Sequence, residues 1–124
     1  MKTAIMIMSD PNSKTDEALG RMFNALATAY DYKQAGEDVS VYFNGTGTRW
    51  IKELSNPEHP INGLFQQVSD TVAGISCGCA DFFGASDATK SSNFIQLNDN
   101  NVPGTSGLLS MRKLHADGYN VLTF

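Results

Sequence analysis

Five short apolar segments recur along the chain, each bounded by polar or turn-forming residues. They lie at residues 3–8, 39–43, 72–76, 94–97 and 119–124. None shows the strict alternation of apolar and polar positions that is typical of a half-exposed strand. Each segment therefore predicts a strand that is covered on both faces, as in a parallel sheet.

One long amphipathic helix is predicted between the first two strands. Ser13 or Thr15 can cap its first turn, and Gly36 is placed to end it in a left-handed conformation. The apolar positions of this segment recur at the spacing of one helical face, with alanines as a smooth flank: Leu19, Met22, Phe23, Leu26 and Tyr30.

Shorter helices are predicted between the later strands. The first covers residues 49–54 behind a Thr48 cap, and the second covers residues 61–68 with Pro60 in its first turn. A brief helix follows within CGCADFFGA, and another runs from Thr105 or Ser106 to about Asp117. Alternating strands and helices predict a single three-layer α/β/α domain over residues 1–124, with a five-stranded parallel sheet and a flavodoxin-like architecture.

Composition narrows the function classes. The 124 residues carry a net charge of −4 and no basic stripe, which argues against nucleic acid as the partner. No apolar segment approaches the roughly 18 residues of a membrane span. The first apolar run is followed at once by polar residues and has no cleavage signal. Because two cysteines without an export signal indicate a reducing compartment, we expect free thiols and a cytoplasmic location.

The candidate chemistry lies in the segment CGCAD, which follows the third predicted strand. Ligands and reactive groups of wound sheets collect at the carboxyl ends of strands. Cys77 is predicted at the tip of this strand and Cys79 near the start of the next helix, where backbone N–H groups lower the pKa of a thiol. The carboxylate of Asp81 acts in the opposite direction, because a nearby negative charge raises the pKa of a thiol. Gly78 permits a tight turn or a close approach. The alternative is that both cysteines are small buried hydrophobic residues.

Other chemistries have weaker sequence support. A zinc site needs further ligands, and His59 and His115 are isolated, so no metal and no cofactor is expected. NGTGT lacks the spacing of a phosphate loop. The thioredoxin motif CxxC is absent, and a disulfide across one residue is strained. Only Ser9 and Ser13 are available for a flavin phosphate loop after the first strand.

The order of several short motifs resembles that of the DsrE/F/H-like family of small sulfur-handling proteins. The motifs are Asp10-Pro11, Ala35-Gly36, Asn44-Gly45, His59-Pro60-Ile61, Leu64-Phe65, Ile75-Ser76-Cys77-Gly78, Gly107, Leu114, Gly118 and Tyr119. The resemblance implies the strand order 4-3-2-1-5 and assembly into trimers or hexamers. It also implies that Cys77 carries sulfur as a persulfide. Cys79 departs from the single-cysteine pattern of the relay proteins.

Two functional hypotheses follow. In the first, the chain is a cytoplasmic sulfur carrier or sulfurtransferase, in which Cys77 receives sulfur and Cys79 acts as a resolving thiol. Its partners are sulfur donor and acceptor proteins or small thiols. In the second, it is a non-catalytic homo-oligomeric module that binds a small ligand or a thiophilic metal. Asn44, Gly45 and Gly78 are then the candidate ligand-binding residues.

Overall fold

Strands and helices alternate along the chain in a computed structural model that describes residues 1–124. The elements are β1 (Lys2–Ile7), α1 (Asp16–Gln34), β2 (Asp38–Phe43), α2 (Trp50–Ser55), α3 (Asn62–Val68), β3 (Val72–Ser76), α4 (Cys77–Phe82), α5 (Ser86–Ser91), β4 (Gln96–Leu97), α6 (Met111–Ala116) and β5 (Tyr119–Thr123). Short 3₁₀ turns lie at Pro11–Ser13, Gly45–Arg49 and Ser69–Thr71.

The five strands form one sheet in the order β4-β3-β2-β1-β5, and every pairing is parallel. In the central pair Ile7 is opposite Phe43, so apolar residues of neighbouring strands meet on the same face. The predicted three-layer α/β/α class and the strand order are confirmed. All carboxyl ends of the strands meet at one edge of the sheet, which is where the cysteines follow β3.

The larger core lies between one face of the sheet and helices α1, α2 and α3. The sheet contributes Ile5, Ile7, Val41, Phe43 and Ile75, all fully buried. Removing a side chain of the size of Phe43 or Ile75 from water contributes about 1.5–3 kcal/mol. Burial of apolar side chains on this face therefore contributes most of the hydrophobic stabilisation of the fold.

The opposite face of the sheet has a thinner cover. Its core contains Ala4, Met6 and Tyr42 from the strands, with Leu109 and Leu114 from α6 and the segment before it. Further apolar side chains on this side are only partly buried, among them Leu97, Tyr119 and Val121. The two outer layers are therefore unequal.

Helix α1 begins and ends as predicted. The Thr15 side chain accepts the Ala18 N–H at 3.1 Å, and Gly36 follows the helix with φ of 73°. The predicted apolar face is partly wrong, because Leu19, Phe23 and Tyr30 are 37–45% exposed. The stripe against the sheet includes the alanines, since small side chains let the helix approach closely: Ala18, Met22, Ala25, Leu26 and Ala29.

The predicted start of the last helix at Thr105 or Ser106 is wrong, whereas its predicted end near Asp117 is confirmed, since Asp117 follows the last helical residue. Gly104 and Gly107 have φ of 81° and 97°, which an α-helix does not accommodate. These residues belong to the loop between β4 and α6. Helix α6 begins only at Met111, where the Ser110 side chain accepts the Lys113 N–H at 3.1 Å.

Three smaller differences concern the other helices. Thr48 does not cap α2, because a 3₁₀ turn precedes that helix and the Thr48 hydroxyl donates to the Gly45 carbonyl at 2.8 Å. Helix α3 begins one residue later than predicted, at Asn62. Helix α5 was not predicted, because its sequence SDATKS has no apolar stripe.

Candidate functional site

Cys77 is the first residue of α4 and follows β3 without an intervening loop. Its side chain is partly exposed, and its Sγ lies 3.5 Å from the Ser106 hydroxyl oxygen. Ser106 belongs to the loop between β4 and α6, which reaches α4 because β4 is the neighbour of β3 in the sheet. The thiol is thus accessible at the carboxyl edge of the sheet, beside a hydroxyl group from another segment.

Gly78 holds that loop against the first turn of α4. Its N–H donates a 2.7 Å hydrogen bond to the carbonyl oxygen of Gly107. A Cβ at position 78 would lie 2.6 Å from Leu108 Cδ1 and 2.8 Å from the Gly107 oxygen. The predicted close approach at Gly78 is therefore an approach of the protein's own loop.

Cys79 has a different environment, although it is only two residues from Cys77. Its side chain is 7% exposed, and its S–H donates to Asn44 Oδ1 at 3.2 Å. Two helical residues at this spacing are rotated by about 200° around the axis, so they project to different sides. The structure separates the two thiols into one partly exposed group and one buried group.

Asn44 and Gly45 lie at the carboxyl end of β2, where Asn44 contacts Cys79. Asn44 is buried, and its Oδ1 accepts both the Cys79 S–H and the N–H of Gly45, the latter at 3.1 Å. This side chain therefore joins the loop after β2 to α4. The predicted site residues fall into two groups, with Cys77 and Gly78 beside the loop of Ser106, and Cys79 on the β2 side.

Asp81 completes the group around Cys77. Its two carboxylate oxygens accept hydrogen bonds from the hydroxyls of Ser106 and Ser86. These bonds, that of Ser106 first, lower the pKa of the Asp81 carboxyl below its ordinary value. Asp81 is thus an ionised group that faces the same hydroxyl as the Cys77 sulfur.

An open groove of about 370 Å³ lies beside this cluster. It is lined by residues of α4 and of the Ser106 loop: Gly78, Asp81, Phe82, Gly104, Thr105 and Ser106. Phe82 is 78% exposed, an unusual state for a large apolar side chain. The groove adjoins Cys77 through Gly78 and Ser106, and Cys77 itself is not among its lining residues.

Arg49 fixes the remaining loops at this edge. Its guanidinium forms a 3.0 Å ion pair with Asp10, donates to the Phe83 carbonyl at 3.0 Å and lies over the Phe83 ring. Trp50 donates its indole N–H to the Ser9 carbonyl at 2.8 Å. These contacts therefore join the loop after β1 and the residue after α4 to the turn and helix that follow β2.

Sequence reasoning missed Ser86 and assigned Ser106 to a helix cap. A signal for Ser106 was present, because the strand order implied by the resemblance places the loop after β4 next to the one after β3. No group of three or more His, Cys, Asp and Glu side chains is arranged to hold a metal ion. None of the six helices combines the length and hydrophobicity needed to cross a bilayer.

The wound parallel sheet with an accessible cysteine at its carboxyl edge defines a small α/β protein of flavodoxin-like architecture. Comparison with known proteins is more specific, since the model of the DsrE/DsrF-like family matches residues 1–124. The chain belongs to this family. It is also 26% identical over 122 residues to an uncharacterized protein of Methanocaldococcus jannaschii, covering 98% of this chain and 94% of that protein. No solved structure matches the chain significantly.

Proposed function

We propose that this chain is a sulfur carrier or sulfurtransferase that holds sulfane sulfur as a persulfide on Cys77. The observation that carries the proposal is the partly exposed thiol at the carboxyl end of β3, in a chain that belongs to the DsrE/DsrF-like family. The groove along α4 supports the same role, because Gly78 and Ser106, which adjoin Cys77, line it and a donor or acceptor has a place to bind beside the thiol. The proposal includes a cytoplasmic location, since free thiols persist in reducing compartments.

The proposed transfer is balanced without an external oxidant. The Cys77 thiolate attacks the terminal sulfur of a donor persulfide, the sulfur–sulfur bond of the donor breaks, and the donor leaves as a thiolate. Cys77 then carries one additional sulfur atom. An acceptor thiolate attacks that terminal sulfur in turn, and Cys77 leaves as a thiolate. Donor and acceptor are proteins or small thiols, and the protein ends in its initial state.

Cys79 has a different role in this proposal from the one expected for a resolving thiol. It is buried and donates its S–H to Asn44, which holds α4 against the loop after β2. An attack by Cys79 on a Cys77 persulfide requires the first turn of α4 to unwind, because the two side chains project to different sides of the helix. We infer that Cys79 supports the position of α4.

The contacts of Asn44, Gly45 and Gly78 favour a carrier over a ligand-binding module. Asn44 Oδ1 accepts two hydrogen bonds from within the protein, and one of them comes from the Gly45 N–H. The Gly78 N–H is donated to Gly107. These polar groups are engaged in the fold, whereas the Cys77 sulfur is reachable from outside.

The proposal also includes a homotrimer or homohexamer. Helix α1 carries a stripe of partly exposed apolar side chains, Leu19, Phe23 and Tyr30, and Phe82 and Ile95 are more exposed still. Apolar side chains in a contiguous stripe are typical of surfaces that another chain covers. Light scattering coupled to size-exclusion chromatography tests the assembly, and a monomeric mass would contradict it.

Intact-mass analysis tests the carrier role. The wild-type protein and the Cys77→Ser and Cys79→Ser variants are incubated with an inorganic polysulfide, desalted and measured before and after reduction. We expect wild type and Cys79→Ser to gain the mass of one sulfur atom reversibly and Cys77→Ser to gain none. Equal uptake by Cys77→Ser, or no uptake by wild type, would remove Cys77 as the carrier.

A further inference from the structure

Three side chains form a hydrogen-bonded row on the surface of α4: Cys77, Ser106 and Asp81. Cys77 and Asp81 are four residues apart and therefore lie on the same face of the helix. The Ser106 hydroxyl approaches from the loop between β4 and α6. Its oxygen lies 3.5 Å from Cys77 Sγ, and its O–H donates to Asp81 Oδ2. The hydroxyl thus lies between the sulfur and the carboxylate.

The number of protons available in this row of side chains determines which group donates in each hydrogen bond. A serine hydroxyl has one proton, and Ser106 donates it to Asp81. Toward Cys77 the same oxygen can only accept, so the Cys77 S–H is the donor. A thiolate at Cys77 would face an oxygen lone pair with an ionised carboxylate behind it, and both disfavour the negative charge.

We propose that Asp81, acting through Ser106, keeps Cys77 as a protonated thiol and so limits the reactivity of the resting carrier. This inference rests on the proposed function for its biological meaning. Asp81 is a positioning residue in this scheme, since it orients the Ser106 proton and does not touch the sulfur. When the charge of Asp81 is removed, the Ser106 hydroxyl is held less strongly, because a neutral acceptor forms a weaker hydrogen bond than a carboxylate, and it can turn to donate to the anion at Cys77.

The surroundings of Asp81 support an ionised carboxylate at neutral pH. The hydroxyls of Ser106 and Ser86 take both of its oxygens and lower its pKa, and Lys90 on α5 acts in the same direction. The other charged groups on elements packed against α4 are Asp87 on α5, Arg49 before α2, and Asp99 in the loop that carries Ser106, where Asp99 pairs with Lys113 at 3.7 Å. Arg49 is engaged by Asp10 and the Phe83 carbonyl, so it does not neutralise Asp81.

The rate of alkylation by iodoacetamide, measured against pH, tests the inference. All variants carry Cys79→Ser, so that only Cys77 reacts, and a hydroxyl at position 79 can still donate to Asn44. Asp81→Asn is compared with Asp87→Asn. The control removes one negative charge from the neighbouring helix α5 and leaves the hydrogen bond between Ser106 and Asp81 in place. Asp81→Ala serves as a second variant, and thermal melting confirms that each protein is folded.

We expect Asp81→Asn to move the alkylation profile to lower pH and to raise the rate at neutral pH by about twofold to threefold, because a larger thiolate fraction is partly offset by lower nucleophilicity. Asp87→Asn is expected to leave both quantities unchanged. An unchanged or slower reaction of both Asp81 variants, relative to Asp87→Asn, overturns the inference.

A Ser106→Ala variant distinguishes an effect of Asp81 that passes through the Ser106 hydroxyl from direct charge repulsion between Asp81 and the Cys77 thiolate. Without the hydroxyl, Asp81→Asn is expected to give a clearly smaller rate increase than in the presence of Ser106. An equal increase in both backgrounds would contradict the role of Ser106. Alkylation does not depend on sulfur uptake, so this result remains interpretable if the carrier role fails in the polysulfide experiment.

Discussion

The amide nitrogen of Gly78 lies 2.7 Å from the carbonyl oxygen of Gly107, and this hydrogen bond joins the first turn of α4 to the loop after β4. The Cα of Gly78 has no room for a substituent, because a Cβ would lie within 3 Å of Leu108 Cδ1 and of the Gly107 oxygen. The oxygen belongs to the backbone and cannot turn away. The same contact keeps Ser106 beside Cys77, so the local geometry of the thiol depends on a residue without a side chain.

Gly78→Ala is therefore expected to push the loop away from α4 and to lower the free energy of unfolding by about 1–3 kcal/mol. Urea denaturation measures this change. Gly20→Ala in α1 is the matched control, because no atom lies within 4 Å of its added Cβ. In a helix interior that change is expected to stabilise by about 0.5–1 kcal/mol. Equal effects of the two substitutions would show that the contact at Gly78 is not tight.

Asn44 provides a second test, because two donors depend on its side-chain oxygen. Asn44→Ala leaves the Gly45 N–H and the Cys79 S–H without their acceptor, and a buried unsatisfied group costs about 1–3 kcal/mol. We expect a loss of that size in urea denaturation, with faster alkylation of Cys79 in the native protein.

The exposed Asn120 of β5 supplies the control for that substitution. Asn120→Ala is expected to change stability by no more than about 0.5 kcal/mol. In the wild-type protein Cys77 should react with iodoacetamide before Cys79, since only Cys77 is partly exposed. Alkylation of Cys79 as fast as that of Cys77 would disprove the burial on which this argument depends.

The three inner strands could be predicted from the sequence because burial on both faces leaves a local pattern, whereas the edge strands β4 and β5 contain no buried residue and β4 covers only Gln96–Leu97 of the predicted 94–97. Residues 39–43 and 72–76 are apolar or small over their whole length, and both are strands in the sheet. The ends of α1 could also be predicted from the local sequence, because a cap and a left-handed glycine depend only on neighbouring residues. The burial of its alanines was not predictable in this way, because it depends on how closely the helix approaches the sheet.

The site could be predicted only in part, because some of its contacts join residues that are far apart in the sequence. The position of Cys77 at the end of β3 was predictable from the apolar segment that precedes it. Its partner Ser106 is 29 residues away in sequence, and the contact of Ser106 with Asp81 spans 25 residues. The TS dipeptide in a glycine-rich segment fits a helix cap as well as a loop. Only the docking of this loop on α4 decides between the two.

Tyr42 allows a test of the thinner side of the sheet. Burial of its hydroxyl, with a contribution from Tyr119, raises its pKa to about 12, whereas an unfolded tyrosine titrates near about 10. Because the fold favours the neutral form, this contribution to stability is complete below about pH 10 and is lost as pH rises toward about 12. Absorbance titration should show a late step for one of the four tyrosines. Tyr42→Phe should remove that step and flatten the alkaline loss of stability. Tyr30→Phe, which removes a partly exposed tyrosine, should retain both, and a native titration without the late step would contradict the burial of Tyr42.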